Sequence, residues 1–97
     1  CLLGMGADMH TASLFPGAPG LSAALGPEAP VLSVQVPEGQ PETRISLSAR
    51  VLRDAVALHV VITGAAKKDA LERGVHLPPE EAPIAAVLDR ADIHWAE

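Results

Sequence analysis

A chain of 97 residues that is 48% apolar is sized for one small folded domain and excludes a disordered polymer. Its net charge of −5, with seven basic side chains scattered rather than striped, argues against a nucleic-acid-binding face and leaves any anion site to local groups. One cysteine excludes an internal disulfide and fits a reducing compartment. No apolar run reaches the roughly 20 residues of a membrane span and no charged-then-apolar leader opens the sequence, so a soluble, cytoplasmic protein is expected.

In chain order, Cys1, Leu2 and Leu3 read as the buried end of a strand, with Cys1 a small core residue rather than a nucleophile. Gly4-Met5-Gly6 makes a tight turn. Residues 17–30, with Gly17, Pro19, Gly20, Gly26, Pro27 and Pro30, form a loop that leaves room for one helical turn over 21–25. A strand follows over 31–36, its buried side chains either 32, 34 and 36 or 31 and 34. A polar turn covers 37–42. Residues 44–48 alternate, which predicts a half-buried strand with Ile45 and Leu47 on one face. Ser48 then caps a helix carrying Val51, Leu52 and Ala55 on one side.

The apolar run over 56–63 is the strongest strand, and its near continuity predicts a sheet covered on both faces. Gly64 ends it. A helix over 65–73 stops at Gly74. Pro78 and Pro79 break the chain again, and Pro83 opens a helix with Ile84, Val87, Leu88 and Ala91 at i, i+3, i+4 and i+7. A short strand over 93–95 closes the sequence. Strands alternating with helices of these lengths indicate an α/β fold with a largely parallel sheet flanked by helices, in a single domain over 1–97.

The chemistry concentrates in residues 1–16, C-L-L-G-M-G-A-D-M-H-T-A-S-L-F-P. A strand end, a glycine turn and a polar pair, Asp8 and His10, describe the rim where ligands collect outside the carboxyl ends of parallel strands. Asp8 offers an acceptor and His10 a base that titrates near neutrality. Taken alone, Asp8 and Thr11 equally suit turn and cap roles, with His10 merely solvated. The glycine pair alone is no dinucleotide fingerprint, because the third glycine is missing.

Lys67 stands out by a physical conflict. A helix starting near Ala65 carries partial positive charge at its N-terminus, and Lys67 and Lys68 both sit in its first turn. A bound anion would relieve the conflict. Arg44, at a strand start after a proline-containing turn, offers a guanidinium suited to bidentate phosphate binding, with a plain surface role almost equally open. Arg50, Arg53 and Lys68 read as solvated positions. His59 reads as a packed, hydrogen-bonded residue in its strand, His76 as a loop residue and His94 as a neighbour of Ile93 and Trp95. No histidine has a spacing that predicts a metal site. No metal and no cofactor is expected.

The stretch G-M-G-A-D-M-H-T-A-S-L-F-P resembles the 6-phosphogluconolactonase signature G-x-G-x-D-G-H-T-x-S-L-F-P, departing from it at Met9, where a glycine is usual. A methionine there requires φ < 0 or some strain. The related glucosamine-6-phosphate deaminases continue after the histidine with I-A-F-N-E-P, so T-A-S-L-F-P favours the lactonase branch. The segment from Gly64 to Lys67 is similar to the family's G-x-x-K, and R-I-S-L-S from Arg44 to its R-x-T-L-T.

The resemblance implies a Rossmann-like layered fold of which this chain is the C-terminal part. It implies hydrolysis of 6-phospho-D-glucono-1,5-lactone to 6-phospho-D-gluconate in the oxidative pentose phosphate pathway. It casts His10 as general base, Asp8 as its orienting partner, Lys67 and Arg44 as phosphate ligands, and Gly4, Gly6 and Thr11 as the active-site loop. The expected partner is a small sugar-phosphate lactone. The alternatives are a sugar-phosphate deaminase or isomerase, and an inactive fragment that binds sugar phosphate.

Overall fold

The computed structural model describes residues 1–35 and 42–97. Three strands form one parallel sheet: β1 (Leu2–Leu3), β4 (His59–Thr63) and β5 (Asp92–Ala96), in the order β1-β4-β5. Leu2 is level with His59, and Val60, Val61 and Ile62 with Ile93, His94 and Trp95. A separate antiparallel hairpin joins β2 (Leu32–Gln35) to β3 (Arg44–Leu47), with Leu32 opposite Leu47 and Val34 opposite Ile45. Helices α1 (Leu21–Leu25), α2 (Ala49–Arg53) and α3 (Ala65–Gly74) complete the α/β plan, so the expected largely parallel sheet is present with the hairpin as its antiparallel exception. Val36 and most of the turn expected over 37–42 lie outside the described residues.

The core is aliphatic, as two aromatic residues require. Leu3, Val60 and Ile62 project from one face of the sheet into a cluster with Leu14, Leu21, Leu52, Ile84 and Val87. The opposite face is open: Leu2 is 71% and Val61 43% exposed. The expectation of a sheet covered on both faces therefore fails within this chain. Its run of apolar residues shortens to a strand starting at His59, with Val56 fully exposed.

The hairpin inverts the expected pattern as well. Ile45 and Leu47 do share a face, but it is the exposed one, together with Leu32 and Val34, while Ser33, Gln35, Ser46 and Ser48 are buried. The buried serines have partners: the Ser33 and Ser48 hydroxyls are hydrogen-bonded to each other, and Ser46 Oγ accepts from the Ser13 backbone N–H at 3.1 Å and donates to Leu47 O at 3.0 Å. Ser48 consequently stands at the N-cap of α2 without using its side chain as a cap. Burying polar groups costs little when they are paired in this way.

Two further expectations are corrected. The helix expected from Pro83 is a pair of 3₁₀ turns, Pro83–Ala86 and Leu88–Arg90. Ile84 and Val87 are buried as the spacing requires, but they are three apart, which a 3₁₀ turn satisfies as well as an α-helix. Cys1 is exposed rather than part of the core.

Candidate active site

β1 delivers the chain directly into the loop that begins at Gly4. Three bonds close that loop on itself. Thr11 Oγ1 donates to the Gly4 carbonyl at 2.8 Å, Met9 N to Gly6 O at 2.9 Å, and Gly6 N to His10 O at 3.0 Å. Thr11 is fully buried, so its hydroxyl holds the loop from inside. Leu14 and Phe15 then anchor the segment in the core.

Within this ring Asp8 meets His10. One carboxylate oxygen, Asp8 Oδ1, accepts from the His10 backbone N–H at 3.1 Å and lies 2.5 Å from His10 Nδ1. Partial burial pushes the Asp8 carboxyl up, but the side-chain and backbone hydrogen bonds from His10 outweigh it and hold the group below its ordinary value of 3.8. An ionised Asp8 requires the hydrogen on Nδ1, which leaves Nε2 with its lone pair. In the neutral imidazole this contact thus favours the Nδ1–H tautomer.

Gly6 makes the pair possible. A Cβ at that position would lie 2.3 Å from His10 Cε1, 2.4 Å from Nδ1 and 2.8 Å from Asp8 Oδ1. Gly4 meets no such crowding and has open space where a Cβ would point. Met9, at the position where the resemblance supplies a glycine, adopts φ 74°, so the methionine accepts the left-handed strain. Such a conformation costs about 1–2 kcal/mol for a side-chain-bearing residue. Burial of the Met9 side chain beside Gly74 offsets it, since burying a methionine contributes about 1.5–3 kcal/mol.

Lys67 reaches the same place from the other side of the sheet rim. β4 ends at Gly64, whose φ of 88° and ψ of 154° turn the chain into α3 and put Lys67 in its first turn. Gly4, Gly6, His10, Ala12 and Lys67 line one cleft of about 400 Å³ at the carboxyl end of β1. Lys68 is not simply solvated: its ammonium lies over the Trp95 ring at 4.3 Å. The two lysines of the first turn are thus separated in role, one facing the cleft and one resting on an aromatic ring.

Arg44 does not line this cleft. It stands at the first residue of β3 with its guanidinium 5.5 Å over the Phe15 ring. Phe15 in turn stacks on His10, with centroids 4.5 Å apart and planes inclined by 20°. Phe15 is the one participant that sequence reasoning passed over. The available signal was a lone phenylalanine five residues after the histidine in a chain almost without aromatics.

Arg50 and Arg53 also have partners. Arg50 donates to the Ala29 carbonyl, and Arg53 donates to the Ala86 carbonyl and bidentately to Asp89. These arginines line a second cleft of similar volume that shares no residue with the first, and they act there as staples between loops. His59 is half-buried and hydrogen-bonded to His94 at 3.0 Å, while His76 is exposed. Among the described residues no group of three or more His, Cys, Asp or Glu side chains is placed to hold a metal ion.

A parallel α/β sheet of Rossmann type, with a His–Asp pair on the loop after one strand and a lysine on the helix after its neighbour, defines the class of protein. The chain belongs to the family described as glucosamine-6-phosphate isomerases/6-phosphogluconolactonase, whose model it matches over residues 1–95. It is 41% identical over 102 residues to a 6-phosphogluconolactonase of Rhizobium meliloti, covering 98% of this chain and 44% of that protein. Among solved structures, it superposes on a 6-phosphogluconolactonase from Shewanella baltica with a TM-score of 0.90 and 29% identity, over 99% of this chain and 43% of the other. The enzyme from Leishmania guyanensis gives a TM-score of 0.71 and 30% identity, over 98% and 38%. The chain thus spans less than half the length of the relatives it matches.

Proposed function

We propose that this chain carries the general-base and phosphate-binding half of a 6-phosphogluconolactonase site. The observation that supports the reading is His10, paired with Asp8, lining the same cleft as Lys67. The substrate is 6-phospho-D-glucono-1,5-lactone, with its phosphate at Lys67 in the cleft; Arg44, over the Phe15 ring and outside the cleft lining, is the second proposed phosphate ligand. An ammonium in a helix's first turn and a dianion satisfy each other there, because the phosphate also meets the positive end of the helix dipole.

In the reaction, water attacks the ring carbonyl carbon while His10 Nε2 takes its proton. Asp8 holds the tautomer and stabilises the imidazolium as it forms. The tetrahedral intermediate then expels the ring oxygen, which takes the proton back from the imidazolium. The product is an open-chain acid, 6-phospho-D-gluconate, which releases one proton to solvent at neutral pH. No metal or cofactor enters this scheme.

The deaminase or isomerase alternative lacks support at the loop, where Leu14, Phe15 and Pro16 stand in place of the N-E-P carboxylate. Ammonia release from glucosamine 6-phosphate would reveal it. The cytoplasm is the proposed location, with no nucleic-acid partner. Among the described residues no helix is long and apolar enough to cross a membrane.

Proton release from freshly prepared lactone tests the proposal. The wild-type chain is expected to exceed the spontaneous rate, and His10→Ala to lose the excess, by about 10²–10⁴-fold for a general base. A well-folded wild-type chain with no rate above background would reduce it to a sugar-phosphate-binding fragment.

A further inference from the structure

We propose that Phe15 is a positioning residue for His10, fixing the plane of the imidazole and tying it to Arg44. The inference rests on the reading of His10 as general base. Hydrogen bonding to Asp8 fixes one atom of the imidazole, Nδ1, but leaves the ring free to swing about that contact. A stacked aromatic face removes this freedom. Phe15 supplies it, with centroids 4.5 Å apart and planes 20° from parallel. Two restraints of different kind, one at an edge atom and one on the face, define where Nε2 points.

The Phe15 ring is itself held. It is buried in the core cluster, between Leu14, which is fully buried, and Pro16. The adjoining loop is tied to the hairpin by the bond from Ser13 N to Ser46 Oγ. Arg44, two residues before Ser46 on β3, lays its guanidinium over the same ring. The stack therefore couples the base to the cation proposed to meet the phosphate through a single aromatic ring. A leucine at position 15 would keep the apolar volume and lose the flat face that both neighbours use.

The test measures ring geometry and turnover separately. In wild type, the His10 ring protons are expected upfield in the NMR spectrum from the Phe15 ring current, with nuclear Overhauser contacts between the two rings. Their absence in a folded wild-type sample would overturn the proposal before any variant is made. In Phe15→Leu, the upfield displacement disappears, the ¹⁵N signature of the Nδ1–H tautomer broadens towards a mixture, and kcat falls about tenfold. Phe15→Tyr, which keeps the ring, restores all three.

Retention of kcat and of the tautomer signature in folded Phe15→Leu would overturn the positioning role and leave the lactonase reading intact. Failure of folded Phe15→Tyr to restore them would overturn it too, and this variant serves where Phe15→Leu does not fold. If wild type hydrolyses no lactone but the tautomer still shifts in Phe15→Leu, the positioning of the imidazole stands and the lactonase reading falls.

Discussion

The His10–Asp8 pair depends on an atom that is missing. Nδ1 and Cε1 of His10 occupy the space that any side chain at position 6 would claim, closer than 2.5 Å to where a Cβ would stand. Gly6→Ala must therefore displace the imidazole, the carboxylate or the turn, and each displacement breaks the shared contact at Asp8 Oδ1. Misplacing a catalytic group by about 1 Å can cost on the order of 10²-fold in rate, and that is the loss expected in lactone turnover. The fold should survive, because position 6 lies at the surface of the core, so far-UV circular dichroism should be unchanged while activity falls. Gly4→Ala serves as the contrast for the pair itself: open space surrounds its would-be Cβ, so the His10–Asp8 contact, read from the His10 ring signals, should persist there and be lost in Gly6→Ala. Loss of that contact in both variants would mean that loop flexibility, not the space left at Gly6, holds the pair.

The strand-to-helix turn from β4 to α3 is the element that delivers Lys67. Gly64 holds φ 88° and ψ 154°, a conformation open almost only to glycine, and three bonds pin it there. Its N–H donates to Ala96 O at 2.9 Å, its carbonyl accepts from Trp95 Nε1 at 3.0 Å, and Lys68 N reaches the same carbonyl at 3.3 Å. Gly64→Ala meets no steric neighbour, so its effect is backbone strain alone, about 1–3 kcal/mol in a urea titration. Because relief of that strain would re-aim the first turn of α3, KM for the lactone should rise more than kcat falls. This turn was legible from sequence: a long apolar run, one glycine, then two lysines where a helix dipole disfavours them. The hairpin was legible only as two strands, because alternation reveals that Ile45 and Leu47 share a face but not which face is buried. Hydrogen-bonded serines reversed the answer, and nothing in the spacing of Ser33, Ser46 and Ser48 announces that Ser33 bonds to Ser48 and Ser46 to the Ser13 backbone. The 3₁₀ turns after Pro83 escaped for a related reason, since an i, i+3 spacing of Ile84 and Val87 fits either helix. Asp8, His10, Lys67 and Gly6 were visible in the motif, whereas the stack through Phe15 emerges only when the loop folds back on itself.

At the scale of the molecule, one layer of the fold is complete and another is open. Parallel sheets are ordinarily covered on both faces, and the apolar run of β4 is written for that environment. In this chain Val60 and Ile62 meet the core while Leu2 and Val61 face outward, and on the hairpin the pairs Leu32–Leu47 and Val34–Ile45 form a second apolar face in solvent. The fold within residues 1–97 must then draw its stability from one face of each sheet, which makes neighbouring residues of the same strand energetically unlike. Ile62 is about 2% exposed, and truncating it should leave a cavity: Ile62→Ala is expected to cost about 2–5 kcal/mol. Val61→Lys, one position along, should cost no more than about 1 kcal/mol, because its side chain is partly exposed and a lysine there can carry its ammonium out to water. Urea denaturation of the two variants of the 97-residue chain decides the matter. A loss of several kcal/mol for Val61→Lys would mean that something covers the outer face of β4 in solution. The contrast between adjacent residues, one dispensable and one not, is what a sheet buried on a single face requires.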